Sequence, residues 1–490
     1  MNGDGFDDLI IGASYADPNG RSSGKSYVVF GSNAGFDAAI ELDSLDGRNG
    51  FVLNGIDADD HSGRSVSSAG DVNGDGFDDL IIGAYRADPN GSSSGESYVV
   101  FGSDAGFDAA IELDSLDGRN GFALNGIDAG DSSGISVSGA GDINGDGFDD
   151  LIIGASSADP NGSSSGESYV VFGSDAGFDA AIELDSLDGR NGFVLTGADA
   201  GDVSGHSVSS AGDVNGDGID DLIIGASYTV PNGVSSGESY VVFGSNAGFD
   251  AAIELDSLDR RNGFVLNGME TPAFNGRSVV SDAGDINGDG FDDLIIGSAY
   301  YSSQLGDNYD GYATVSDGRS YVVFGSGAGF DTVINLSSLD GSNGFVVAAN
   351  KGAGYSVSSA GDFNGDGFDD LIIGQYAGFK GRRYSGESYV VFGSSAGFDA
   401  AIELDSLDGR NGFVLTSTDE YNSAGYSVSG AGDVNGDGFD DLIIGTSYII
   451  GTYGADPSDS YSGKSYVVFG FASDKALPTA ANDAIIAVPG

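Results

Sequence analysis

Cysteine and tryptophan are absent from this 490-residue chain, which also holds only two histidines and eight prolines. Without cysteine there is no disulfide framework, no thiol nucleophile and no thiolate metal site. Cations are scarce too: 18 Lys and Arg stand against 76 Asp and Glu, a formal charge of −58. A surface of that sign repels phosphate and excludes nucleic acid as a partner. No run approaches the roughly 18 apolar residues of a membrane helix, so no membrane span is expected. The G-x-S-x-G, H-E-x-x-H and Walker signatures are missing. His61 and His206 fall at non-equivalent places in the sequence pattern described below and read as solvated surface residues. No catalytic residue is assigned, and the chain reads as a non-enzyme.

What the chain has instead is repetition. The segment G-D-V-N-G-D-G-F-D-D-L-I-I-G, first complete at Gly70 to Gly83, recurs with its opening Asp at 71, 142, 213, 285, 362 and 433, and a shortened seventh copy occupies Asn2 to Gly12. A period of about 71 residues holds several strands, so each copy is a supersecondary unit stacked on its neighbours.

Within each copy, oxygen-bearing residues alternate as D-x-N-x-D-G-x-x-D. Short acidic and amide side chains on alternate residues of a tight loop suit a hard cation of about six to eight oxygen ligands, and calcium is the expected cofactor, at about seven sites. The predicted ligands are Asp71, Asn73, Asp75, the Phe77 carbonyl and Asp79; Asp142, Asn144, Asp146, Phe148 and Asp150; Asp213, Asn215, Asp217, Ile219 and Asp221. They continue as Asp285, Asn287, Asp289, Phe291 and Asp293; Asp362, Asn364, Asp366, Phe368 and Asp370; Asp433, Asn435, Asp437, Phe439 and Asp441. The first copy keeps only Asn2, Asp4, Phe6 and Asp8, which predicts a weakened site. An EF-hand would need flanking helices and a glutamate at loop position 12, where the second copy has Ile82.

The flanks are strand-like. S-V-S-S-A-G (65–70), D-L-I-I-G (79–83), S-Y-V-V-F-G (97–102) and G-F-V-L-N-G (50–55) recur, the middle two seven times and the others six. Continuous apolar runs imply burial on both faces, and the small-residue strand suits a crowded axis. These features predict an all-β fold of seven four-stranded blades, a propeller, whose first blade lacks its inner strand and whose last lacks its outer one. A β-solenoid is the competing architecture, though its rungs are usually far shorter. The repeats end near residue 471, and 472–490 reads as a linker leading toward a further domain. Because the chain opens inside a loop, it reads as a piece of a longer, exported protein.

The sets S-V-S-S-A-G-D, D-V-N-G-D-G-F-D-D-L-I-I-G-A and S-Y-V-V-F-G-S resemble the FG-GAP repeats of the integrin α-subunit propeller and its bacterial relatives. The resemblance covers residues 1 to about 471. It implies a seven-bladed propeller with one Ca²⁺ per loop between the first and second strands, outside the cell or at its surface. The tail P-T-A-A-N-D-A-I-I-A-V-P-G resembles the opening of cadherin-like modules in large bacterial surface proteins. The implied role is a calcium-stabilised adhesion or scaffold module of a larger bacterial surface or secreted protein. The alternative is a non-catalytic propeller attached to an extracellular hydrolase or phospholipase, since FG-GAP repeats accompany a phospholipase D in one family.

A ligand face is expected opposite the calcium loops. The third-to-fourth connections are 18 residues long and nearly invariant, whereas the second-to-third connections lengthen from 13 residues to 22 in unit five and 19 in unit seven. The divergent loops of units five to seven carry Tyr300, Tyr301, Tyr309, Tyr312, Lys380, Arg382, Arg383 and Tyr453. Tyr and Arg are favoured recognition residues, which points to a protein or carbohydrate ligand there.

Overall fold

In every complete copy the small-residue strand pairs with D-L-I-I-G, that strand with S-Y-V-V, and the last with G-F-V-L, all antiparallel. In the second blade Ser67 faces Ile81, Ile81 faces Val99 and Val99 faces Phe122. The computed structural model describes residues 1–229, 237–268, 277–302, 314–349, 352–380, 383–416, 422–448, 463–472 and 484–487. Among them there is no α-helix, only short 3₁₀ turns such as Leu42–Ser44. Blades one to four, in 1–268, and blades five to seven, in 277–487, form two compact units that exchange one short segment each. The fold is an all-β seven-bladed propeller.

The continuous apolar runs follow from this packing. Asp79–Ala84 is buried throughout. Leu80, Ile82, Tyr98 and Val100 pack against Val28, Phe51 and Leu53 of blade one. Ile81, Val99 and Phe122 pack against Val137, Leu151 and Ile153 of blade three. A strand between two sheets has no solvent face, so period-two alternation disappears. The inner strands stay small because they approach one another closely. Val137 N donates to Ser65 Oγ at 3.0 Å, and Val208 N to Ser136 Oγ at 3.1 Å. One strand further out, a Cβ on Gly83 would stand 2.1 Å from the Gly134 carbonyl.

Two features depart from the sequence expectation. The invariant third-to-fourth connection contains a three-residue strand that leaves its own blade. Ala110–Glu112 pairs parallel with blade one's outer strand Gly50–Asn54 as that sheet's fourth strand, and its counterparts give blades two to five a fifth. Phe107 beside it stacks on Phe51 at 4.4 Å, and the pairs Phe178–Phe122 and Phe249–Phe193 repeat the contact. Glu112 then accepts from Asn54 Nδ2 at 2.7 Å and Asn19 Nδ2 at 2.8 Å. This clasp explains why the connection has one length and one sequence.

The second departure concerns the tail. Ala484–Ala487, expected in a linker, pairs antiparallel with Lys464–Val468 and parallel with the clasp strand Ala39–Glu41 of the first copy. It takes the outer place expected to be missing from the last blade. Its A-I-I-A resembles none of the repeated outer strands, so pattern matching passes over it. The first copy contributes three strands, Leu9–Ala13, Lys25–Val29 and Gly50–Asn54, and among the described residues none pairs with its inner edge.

Truncation after Phe471 should therefore unpair two strands. Hydrogen exchange should show amide protection falling in Lys464–Val468 and Ala39–Glu41 while Asp150–Ala155 is unaffected. Protection unchanged at both edges would contradict the pairing.

Candidate metal centre

Each acidic loop is wound by its own side chains onto its backbone amides. Asp71 accepts from Asp75 N at 3.0 Å and Gly76 N at 2.9 Å through its two oxygens. Asn73 Oδ1 accepts from Asp75 N at 2.9 Å, and Asp75 Oδ1 from Phe77 N at 3.0 Å. The Asp71 pair of bonds recurs at Asp142, Asp213, Asp285, Asp362 and Asp433, all within 2.8–3.0 Å. Gly74 and Gly76 hold φ of +71° and +90°, which glycine adopts at no steric cost.

The last acid of each loop is different in kind. Asp79, Asp150, Asp221, Asp293, Asp370 and Asp441 are fully buried. Asp79 Oδ1 accepts from Gly102 N at 2.8 Å and Oδ2 from Val72 N at 3.2 Å, tying the loop to the end of the third strand. Burial outweighs these donors, and neighbouring carboxylates such as Asp75 and Asp71 add to it. Asp79, Asp150, Asp221 and Asp370 are pushed up to about 8, and Asp441 to about 7. A desolvated carboxylate beside two others favours a bound cation.

Whether the donors fit a cation can be judged from the sixth loop. Asn364 is buried, its Nδ2 donates to Asp370, and its Oδ1 has no hydrogen-bond partner. A buried acceptor left over among oxygen donors suits a hard ion. Among the described residues no three Asp, Glu or His side chains are gathered close enough to form a ready cluster. The Asp71-type carboxylates face backbone amides instead. The first loop keeps the pattern without its opening acid: Asp4 N donates to Asn2 Oδ1 at 2.9 Å and Phe6 N to Asp4 Oδ1 at 3.1 Å. Asp8 lies 3.5 Å from the Met1 ammonium.

Sequence reasoning missed the coupling between loops. The penultimate acid reaches back one blade: Asp149 Oδ2 accepts from Asp71 N at 2.8 Å, and Asp220, Asp369 and Asp440 do the same for Asp142, Asp285 and Asp362. Phe148, assigned only a carbonyl, also lays its ring on the preceding loop, where a Cβ on Gly74 would stand 2.3 Å from Cε1. The doubled D-D in every copy, and the Phe in all but the fourth, which has Ile219, were the available signal.

The opposite face is built by other connections. Arg86 N donates to Asp60 O at 3.3 Å, and Gly24 bridges Ser62, joining second-to-third and fourth-to-first loops. Third-to-fourth connections meet the acidic loops instead, as in Ser174 N to Val72 O at 2.8 Å. His61 lies on the face away from the acids, but it is buried at 7% exposure between Tyr15 and Tyr85, not solvated as expected. Of the predicted ligand-face residues, Tyr300 and Tyr301 lie in Asp293–Ser302 opposite Ser316 and Val315, and Lys380 faces Arg383 at a hairpin end. Tyr309, Tyr312, Arg382 and Tyr453 lie outside the described residues.

The loop interlock has a measurable consequence. Gly74→Ala should destabilise the fold by about 1–3 kcal/mol in denaturant unfolding. In a Phe148→Ala background the same change should cost less, about 1–2 kcal/mol of left-handed backbone strain. Additive effects would contradict the contact.

Comparison with known proteins agrees with this architecture. The FG-GAP repeat family model matches residues 1–29, 62–100, 133–171, 204–242, 279–316 and 353–391. Integrin alpha pat-2 of Caenorhabditis elegans is 28% identical over 250 residues, 50% of this chain and 18% of that protein. Integrin alpha-5 of Xenopus laevis is 28% identical over 261 residues, 53% of this chain and 21% of that protein. Phosphatidylinositol-glycan-specific phospholipase D of Bos taurus is 31% identical over 171 residues, 34% of this chain and 18% of that protein. The matched regions span about a fifth of each of these relatives. The solved structure of AofleA from Arthrobotrys oligospora covers 98% of this chain and 96% of its own at 9% identity and a TM-score of 0.39, too low to bear on the fold. With its six matched repeats and its sheets of one repeated order, the chain carries FG-GAP repeats and forms an integrin α-like β-propeller.

Proposed function

We propose that this propeller is a calcium-stabilised extracellular module for adhesion or scaffolding within a larger surface or secreted protein. The observation that carries the reading is the fully buried terminal carboxylate of each complete loop, set among further oxygen donors. Asp71, Asn73, Asp75, the Phe77 carbonyl and Asp79 would hold the ion in the second loop, with the corresponding residues in the others. Bound calcium would supply positive charge where burial alone disfavours the carboxylates. It would perform no chemistry, and the module is read as non-catalytic. No helix among the described residues is long and apolar enough to cross a membrane.

A second reading follows from the similarity to phospholipase D. There the propeller would be a non-catalytic companion to a hydrolase elsewhere in the parent protein. Both readings use the same calcium-dependent fold, and they differ in what the rest of the parent contains.

The ligand is proposed to be a protein or carbohydrate bound opposite the metal loops, on the long connections of blades five to seven. Replacing Tyr301, Tyr309 and Tyr453 together with Ser should abolish binding to cells or glycans and leave melting unchanged. A triple variant that binds fully would move recognition elsewhere.

Removing calcium should destabilise the whole module. Extracellular sites bind with Kd of about 10⁻⁴ to 10⁻³ M. With ligand about tenfold above Kd, each site adds about 1.4 kcal/mol. Seven sites add about 10 kcal/mol, comparable to the roughly 5–15 kcal/mol stability of an ordinary domain. Melting with calcium and with EDTA should differ widely, and an unchanged midpoint would refute the calcium reading.

A further inference from the structure

The four copies in residues 1–268 are so alike that their departures can be read position by position. Outside the turn D-G-R-N-G, or D-R-R-N-G in the fourth copy, that stretch holds four Lys or Arg: Arg21, Lys25, Arg64 and Arg86. The second copy has Ser92, Glu96 and Ile135 at the first three of these positions, and the third has Ser157 at the last. All four belong to the junction of blades one and two on the face away from the acidic loops. Backbone bonds join the segments there: His61 N donates to Ser22 O at 3.0 Å and Arg86 N to Asp60 O at 3.3 Å.

Aromatic rings gather at the same place. Tyr15 meets His61 edge-on at 5.0 Å, His61 lies 5.8 Å from Tyr85, and the Arg86 guanidinium stands 5.6 Å over the Tyr85 ring. The second and third copies carry Ser132 and Val203 where His61 stands, so neither can repeat the stack. Tyr15 is 72% exposed, the most exposed large hydrophobic side chain among the described residues, yet its ring rests on a buried imidazole. Burial, then Arg86 and Arg64, holds His61 below its ordinary pKa, so at neutral pH it packs as an uncharged ring.

We infer that this junction is a saccharide site, with Tyr15 as a platform for the apolar face of a neutral pyranose. A fixed, exposed ring offers stacking area with little entropy left to lose. The exposed Arg21, 3.8 Å from Asp59, places guanidinium donors and carboxylate acceptors side by side, the pair of functions that sugar hydroxyls need. Asp57, Asp88 and Asp59 each lie close enough to act on Asp60, and these four carboxylates offset the cations. The junction therefore has no positive field with which to draw a polyanion to a chain of charge −58. This site is independent of the long loops of blades five to seven.

The test is calorimetric titration of the full chain, in calcium, with a panel of neutral methyl pyranosides and a matched panel of uronates and acidic peptides. At least one neutral glycoside should bind. Tyr15→Ser should weaken it about tenfold with no change in melting, and His61→Ser, the second copy's residue, should weaken it through loss of the support under Tyr15. Tyr228→Ser, which alters the equivalent position in blade four, should leave binding unchanged. Failure of every neutral glycoside to bind, full binding by Tyr15→Ser, or binding confined to uronates or acidic peptides would each overturn the proposal.

Discussion

The structure depends on placing one carboxylate per complete blade in a buried position. Asp79 and its counterparts join two strand ends by accepting amides such as Gly102 N and Val72 N. The same burial disfavours the charge those bonds require, and Asp75 and Asp71 beside it make the conflict worse. A cation bound as proposed would resolve that conflict and would account for three Asp side chains in each of six loops. Such a cation would also stand in for the disulfides that a chain without cysteine lacks.

Around that constraint, neighbouring blades are held by contacts that repeat with the sequence. Asp149 and Phe148 bind one loop to the loop before it, while the strand Ala110–Glu112 and the Phe107–Phe51 stack bind one blade's outer strand to the next copy. The first of these contacts lies among the acidic loops, while the clasp ends at the opposite face, where Glu112 also holds Asn19 of a second-to-third loop. The second-to-third loops of units five and seven lengthen on that face. The Tyr15 and His61 cluster shows divergence there in an otherwise regular stretch.

Much of this was legible in the sequence. The oxygen alternation of the loop, the doubly buried D-L-I-I-G strand and the Ser and Ala of the inner strand each follow from one physical requirement acting on consecutive residues. The clasp was not legible, because A-I-E is three residues long and its partner lies in the preceding copy. Nor was the strand Ala484–Ala487, whose sequence matches no repeat and whose position is fixed only by the edges of Lys464–Val468 and Ala39–Glu41. His61 misled for a related reason: a lone polar residue in a loop reads as solvated, and only the tyrosines from two copies bury it.

The central claim is that the loops are cation sites, and counting them tests it most directly. Calcium titration of chelator-stripped protein by isothermal calorimetry should find about six comparable sites and one weaker, the last reflecting the loop that holds Asn2, Asp4 and Asp8 without an opening Asp. No heat of binding at millimolar calcium would contradict the account.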